Sequence, residues 1–387
     1  KDVVIKGSFK ANGDTPYTVE YYVQNIEDDD YTQESTKTEK GETGSEAIIV
    51  PKQRDGFEIN EEKSLLKDNI AGNGSTVLKV YYDRIKYKVE YNYSGFVPAD
   101  ASQKPLTVSY KFGKSVEVAP PATAAGYTFS GWTTEDVTVT NGTFDVPAKD
   151  VTFTGFFTAQ SGIAYKVEHY KQALNGTYPT TPSDTDNLTG TTGETVNAEP
   201  KSYPGFTYDP SAEGTVTEGT IKGDGSLTLK LYYTRDEFKV TYAYSQTAPE
   251  GAAAAPAEAT YKYEESVNVA AQPELDGYTF HGWTTADASV VEGAFTMPAK
   301  DVAFTGYFTA NTNTPYTVIH YLETLDDGVF AQEDMDTKYG TTGMEATATP
   351  NSYTGFTYDP DVEGTVTEGI IKGDGSLTLE LYYTRNT

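Results

Sequence analysis

The sequence predicts a mainly β protein built as a tandem array of small modules. Three observations carry this. The chain aligns with itself at a fixed offset, its apolar residues alternate with period two, and Gly-containing turn dipeptides punctuate the runs. The offset is taken first, because a long internal period decides architecture before any local reading does. Residues 206–235 and 356–385 stand 150 apart and differ at four positions. GYTFSGWTT from Gly126 returns as GYTFHGWTT from Gly277, and PAKDVTFTGFFTA from Pro147 returns as PAKDVAFTGYFTA from Pro298, both 151 residues on.

The repeat has two halves, so the order is A-B-A-B-A. The A modules are residues 17–84 (A1), 165–235 (A2) and 316–385 (A3). Each opens with YxVxxY and closes with LYYTR or VYYDR. The B modules are residues 87–158 (B1) and 238–309 (B2). Each opens with [YF]KVxYxY and closes with KDVxFTGxFT. Residues 1–10, KDVVIKGSFK, match the close of a B module, and Lys1 precedes Tyr17 by the same 16 residues that separate Lys149 from Tyr165. They read as the closing strand of a truncated B-type repeat. Val3–Phe9 is then expected as a strand without its sheet, frayed or borrowed by a neighbour.

Alternation identifies the strands. Tyr87, Val89, Tyr91 and Tyr93 alternate with Lys88, Glu90 and Asn92, the period of a half-buried strand. Leu227–Tyr233 and Leu377–Tyr383 alternate likewise. Asp224-Gly225 and Asn73-Gly74 tolerate positive φ and mark tight turns. Helical periodicity is absent apart from one short turn expected near Glu61–Asp68. The A-to-B junctions, Ile85-Lys86 and Asp236-Glu237, are short and should be stiff. The B-to-A junctions, Ala159–Ala164 and Ala310–Pro315, are longer and polar.

Composition narrows the function. A chain of 387 residues exceeds one ordinary core. Aromatics at 13% argue against wholesale disorder. A formal charge of −28 repels phosphate backbones and anionic lipid, so nucleic acid is excluded as a partner. It also makes a monomer the expected state. No apolar run reaches the length of a membrane helix, so no membrane insertion is expected within these residues. Without cysteine there is neither a disulfide nor a thiolate metal site.

The A modules resemble MucBP (mucin-binding protein) repeats of Gram-positive surface proteins. The matching residues are the openings YTVEYY, YKVEHY and YTVIHY, the middle GTTG with PxSYxGFTYDP, and the close GDGSLTLxLYYTR. A1 departs in its middle, reading KQRDGFEINEEKSLL. The B modules resemble the Listeria–Bacteroides, or internalin B-type, repeat through AxGYTFSGWTT or LDGYTFHGWTT and then [VM]PAKDVxFTGxF. The resemblance implies β-grasp-like modules forming an elongated rod in an extracellular bacterial cell-surface adhesin or stalk. It also implies mucin or another host glycoprotein as a partner. It transfers no binding residue.

Candidate chemistry is weighed against its plain alternative. His169 and His320 occupy the slot of Tyr21 in A1, and His281 that of Ser130 in B1. A general base or metal ligand is not expected to be Tyr or Ser in sister modules. Asp28-Asp29-Asp30 and Asp326-Asp327 suggest calcium, yet the matching loop of A2, Leu174–Thr177, has no carboxylate, so a solvated hairpin tip is expected. No G-x-S-x-G elbow is present. Trp132 and Trp283 read as core anchors rather than sugar platforms. Each Tyr-Tyr pair (Tyr21-Tyr22, Tyr81-Tyr82, Tyr232-Tyr233, Tyr382-Tyr383) should put one ring in the core. The other ring is then the better candidate for ligand stacking. Lys88 and Lys239 should face solvent, which disfavours a Lys–Asn cross-link. The expectation is a protein with no catalytic residue, metal or cofactor, acting as a stalk that projects a functional head. The alternative is that the A modules themselves bind by multivalent weak contacts.

Overall fold

In the computed structural model, residues 1–326 and 328–387 are described, and every regular element among them is a strand. The chain divides into two compact units. The first comprises 1–166, 187–197 and 218–228, and the second 167–186, 198–217 and 229–387. A2 is therefore shared between them.

In the first unit, A1 is a four-stranded sheet in the order Tyr31–Gly41, Thr15–Gln24, Val77–Arg84, Phe57–Ile59. Its first and last long strands, Thr15–Gln24 and Val77–Arg84, lie side by side and parallel. A parallel neighbour needs a crossover. Here the crossover carries the short antiparallel pair Glu46–Ile48 and Lys67–Asn69. The helical turn expected near Glu61–Asp68 is not formed. Residues 61–63 are a turn, and Leu65 bridges to Lys79, its N–H and C=O bonded to the strand. The alternation of Val77–Arg84 buries Leu78, Val80 and Tyr82 against Val19, Ala47 and Ile70.

B1 repeats the scheme with a smaller sheet, Val151–Gly155, Lys86–Tyr93, Val108–Lys111, in which the first and last strands are again parallel. Two short pairs flank it, Ser115–Glu117 with Thr143–Asp145 and Tyr127–Phe129 with Phe157–Ala159. Its core is Val89, Tyr91, Phe144, Val151 and Phe153. Residues 1–12 form no strand and are exposed, with Val3 85%, Ile5 89% and Phe9 107% accessible.

The second unit repeats these plans. B2 pairs Glu237–Tyr244 with Ala259–Lys262 and, in parallel, with Val302–Gly306. A3 has the order Phe330–Gly340, Thr314–Glu323, Thr378–Arg385, Phe356–Tyr358. Each closing strand of an A module buries one Tyr of its pair: Tyr82, Tyr233 and Tyr383 are at most 2% exposed. Burying so large a ring matters in a module of about 70 residues, where little other apolar surface is available.

Candidate functional site

The histidines come first, since they are the only side chains here with ordinary acid–base chemistry near neutral pH. In A2, His169 is wholly buried. The Lys201 backbone N–H donates to the Tyr233 hydroxyl (3.0 Å), which lies 2.9 Å from His169 Nδ1. On the other side of the ring Nε2 faces Asp186 Oδ2 at 3.2 Å, and since a carboxylate oxygen only accepts, this bond takes its proton from Nε2. The Lys201 ammonium closes the circuit, bonding Asp186 (2.5 Å) and Asp184 (2.9 Å). Lys201, with the Tyr203 hydroxyl, holds the Asp184 carboxyl down at about 2. A3 has the same groups around Nδ1, with Asn351 N–H donating to the Tyr383 hydroxyl (2.8 Å) and that hydroxyl 2.8 Å from His320 Nδ1, but Nε2 there lies 3.3 Å from the Asn351 side-chain Nδ2, with Asp336 at 4.0 Å. Burial holds His320 below the ordinary imidazole range.

A1 exchanges the set as a whole. Tyr21 replaces the histidine, and Lys37 stands opposite Val19 where Asp336 stands opposite Val318. Tyr82 donates to the Lys52 carbonyl (2.9 Å), and Arg54 lies over its ring, forked onto Glu34 by two 2.8 Å bonds. The carboxylate thus accompanies the histidine, as a packing requirement would have it. His281 is exposed and stacks on Tyr307.

The second ring of each closing pair is not free. Tyr81 stacks on Tyr22 (4.7 Å), Tyr232 on Tyr170 (4.9 Å) and Tyr382 on Tyr321 (4.8 Å). A third ring meets each stack edge-on: Tyr31, Tyr178 or Phe330. Tyr31 donates to Asp83. Where that place is threonine, A3 uses Phe330, while A2 keeps Tyr178, whose buried hydroxyl finds no partner. The Tyr22 hydroxyl donates to Glu20 (2.7 Å), which helps push it up to about 12. In A1 Lys63 stands over the third ring, 4.6 Å from the Tyr31 centroid, beside a hollow lined by Tyr22, Asp30, Tyr31, Lys63 and Tyr81.

Trp283 belongs to the B2 core and Trp132 packs against that of B1. Their indole N–H groups donate to Ala271 O (3.3 Å) and Pro120 O (3.0 Å). Lys88 and Lys239 are exposed. Among the described residues no three acidic or histidine side chains gather to hold a metal. Asp327 lies outside the described residues. Around Asp28–Asp30 a lysine fills the role of a cation: Lys111 bonds the carbonyls of Asn25 (3.1 Å) and Asp28 and pairs with Asp29 (3.0 Å).

That lysine belongs to B1, so the acidic loop is part of a joint. At the same joint Arg84 Nε donates to Gln24 O (2.7 Å) and its Nη1 to Phe112 O of B1 (2.8 Å). In the second unit Arg235 repeats this, with Gln172 O (3.0 Å) and Tyr263 O of B2 (2.7 Å). The B-to-A joints are no looser. Phe157–Ala159 is a strand, Gln160 N–H bonds Gly126 O (2.9 Å), and Thr192 N–H bonds Gln160 O (3.0 Å). Gly126 lies so near Gly223 that a Cβ on it would come within 2.3 Å of the Gly223 Cα. Asn311, Gly277, Thr342 and Gly373 repeat the arrangement between B2 and A3. Sequence reasoning missed these clamps. The available signal was an arginine ending every A module and an aromatic residue, Phe112 or Tyr263, in the turn after Val108–Lys111 or Ala259–Lys262 of each B module.

Residues 87–155 match the Listeria-Bacteroides repeat domain, and residues 242–312 match the divergent InlB B-repeat domain. The first match lies within B1 and the second covers most of B2, so the B modules are similar to repeat domains of these two kinds. The chain is 25% identical to Internalin J of Listeria monocytogenes serovar 1/2a (strain ATCC BAA-679 / EGD-e) over 235 residues. That match takes in 54% of this chain and 26% of Internalin J, so the repeats span about a quarter of that protein. Among solved structures, the Bacillus anthracis TIE protein aligns at TM-score 0.31 and 10% identity over 87% of this chain and 76% of its own. The type 2 repeat of the mucus binding protein MUB from Lactobacillus reuteri aligns at TM-score 0.14 and 12% identity over 76% and 99%. Scores this low carry no argument.

Proposed function

We propose that this chain is a non-catalytic extracellular stalk on a bacterial cell surface, holding a functional head away from the cell. The observation that carries it is the closure of all four module joints by hydrogen bonds and by glycine or arginine contacts. A spacer needs joints that resist bending and surfaces that do not self-associate. The charge of −28 serves the second need. Fused between a surface anchor and a reporter tag, the chain should carry the tag through a polysaccharide layer. Antibody access should fall stepwise as A-B pairs are removed. Equal access with one pair and with the whole chain would refute the stalk.

A second reading has one observation in its favour. The aromatic triads recur on three A modules, and in A1 the triad borders a hollow with Lys63 and Asp30. On this reading the A modules bind mucin glycans or another host glycoprotein, and affinity rises with the number of A modules.

A further inference from the structure

We propose that the end face of A3, formed by Gly355, Phe356 and Arg385, is a docking surface for the aromatic turn of a B-type module, the turn that holds Phe112 in B1 and Tyr263 in B2. The same face is present three times, and twice it is occupied.

In A1, Gly56 has φ +79°, and its carbonyl accepts the Ile85 N–H (3.0 Å). Arg84 lies over the Phe57 ring at 5.0 Å. Phe112 of B1 closes the face, meeting Phe57 edge-on at 5.4 Å and offering its carbonyl to Arg84 Nη1. The ring covers Gly56 so tightly that a Cβ there would fall 2.3 Å from it. In A2 the parts are Gly205 (φ +71°), Phe206 and Arg235, and Tyr263 of B2 is the occupant. A Cβ on Gly205 would again fall 2.3 Å from the ring.

A3 has the same parts. Gly355 has φ +86° and accepts the Asn386 N–H (3.0 Å). Arg385 lies over Phe356 at 5.3 Å, its Nε held by Glu323 O (3.1 Å) and Thr324 O (3.0 Å), as Arg84 and Arg235 are held by Gln24 and Gln172. Among the described residues, nothing lies within 4 Å of a Cβ placed on Gly355. The guanidinium and the ring are therefore already positioned, and docking costs little ordering of side chains. The partner is specified by chemistry. It must present one aromatic ring over the glycine, with that residue's carbonyl turned to Arg385.

The test joins residues 87–158 directly after Thr387 of the full chain, so that Asn386-Thr387 takes the place of Ile85-Lys86. An independent version joins residues 238–309 there. In each, NMR should show an upfield ring-current shift of the Gly355 α-protons, and the added module should tumble together with A3. Replacing the turn aromatic in the added copy, Phe112→Ala or Tyr263→Ala, should abolish both effects while the added tryptophan reports a folded module. Unchanged Gly355 resonances beside a folded added module would overturn the proposal. That result would leave the stalk reading intact, since the stalk is tested on the chain's existing joints.

Discussion

At the scale of single residues, the three A modules act as controls for one another. Thr15 and Thr43 share a hydrogen bond in A1 (2.5 Å), as do Thr314 and Thr342 in A3 (2.6 Å). A2 has Ile163 in place of the first threonine, and Thr192 Oγ1 is left buried without a partner. Thr192→Val should therefore be neutral or stabilising in thermal unfolding. Thr342→Val should cost about 1–3 kcal/mol, by orphaning its buried partner hydroxyl. His320 gives a pH-dependent counterpart. Its folded state resists the proton that an unfolded chain takes up near pH 6.5, because burial outweighs the pull of Asp336 and Asp334, and Lys338 opposes protonation too. The stabilising contribution is full above about pH 6.5 and is lost as pH falls from there toward the lower folded value. The A3 unfolding midpoint should fall between about pH 7 and pH 5. The pair His320→Tyr with Asp336→Lys, which installs the A1 residues, should flatten that slope.

At the scale of elements, the strands were legible and the contacts that close the joints were not. Period-two alternation located Lys86–Tyr93 and Thr228–Arg235, because a half-buried strand writes its exposure into every second residue. It also anticipated one buried tyrosine per closing pair. The helical turn near Glu61–Asp68 failed because Leu65 is drawn onto Lys79 of the neighbouring strand, a tertiary contact with no local signature. The outer tyrosines looked available for ligands because alternation reports which face a ring occupies and nothing of the ring stacked upon it. The joints escaped because their donors and acceptors are largely backbone groups from segments far apart in sequence. Gly126 tests this level. Both Gly126 and Gly131 have positive φ, so alanine strains either one, but only at Gly126 does the new Cβ meet a neighbour. Gly126→Ala should speed amide exchange at Thr192 and Gln160 well beyond the effect of Gly131→Ala.

At the scale of the whole molecule, the stalk proposed above requires that the modules hold apart from one another in solution. The strong acidity works with this, since like-charged modules resist folding back on each other at low salt. Small-angle X-ray scattering of the intact chain tests the claim most directly. Modules of roughly 30 Å set end to end span on the order of 150 Å, which gives a radius of gyration of about 43 Å, against about 21 Å for a compact chain of this length. The account predicts the larger value, with a rod-like distance distribution that persists at high salt. A radius near the smaller value, or one that collapses toward it when salt is added, would contradict it.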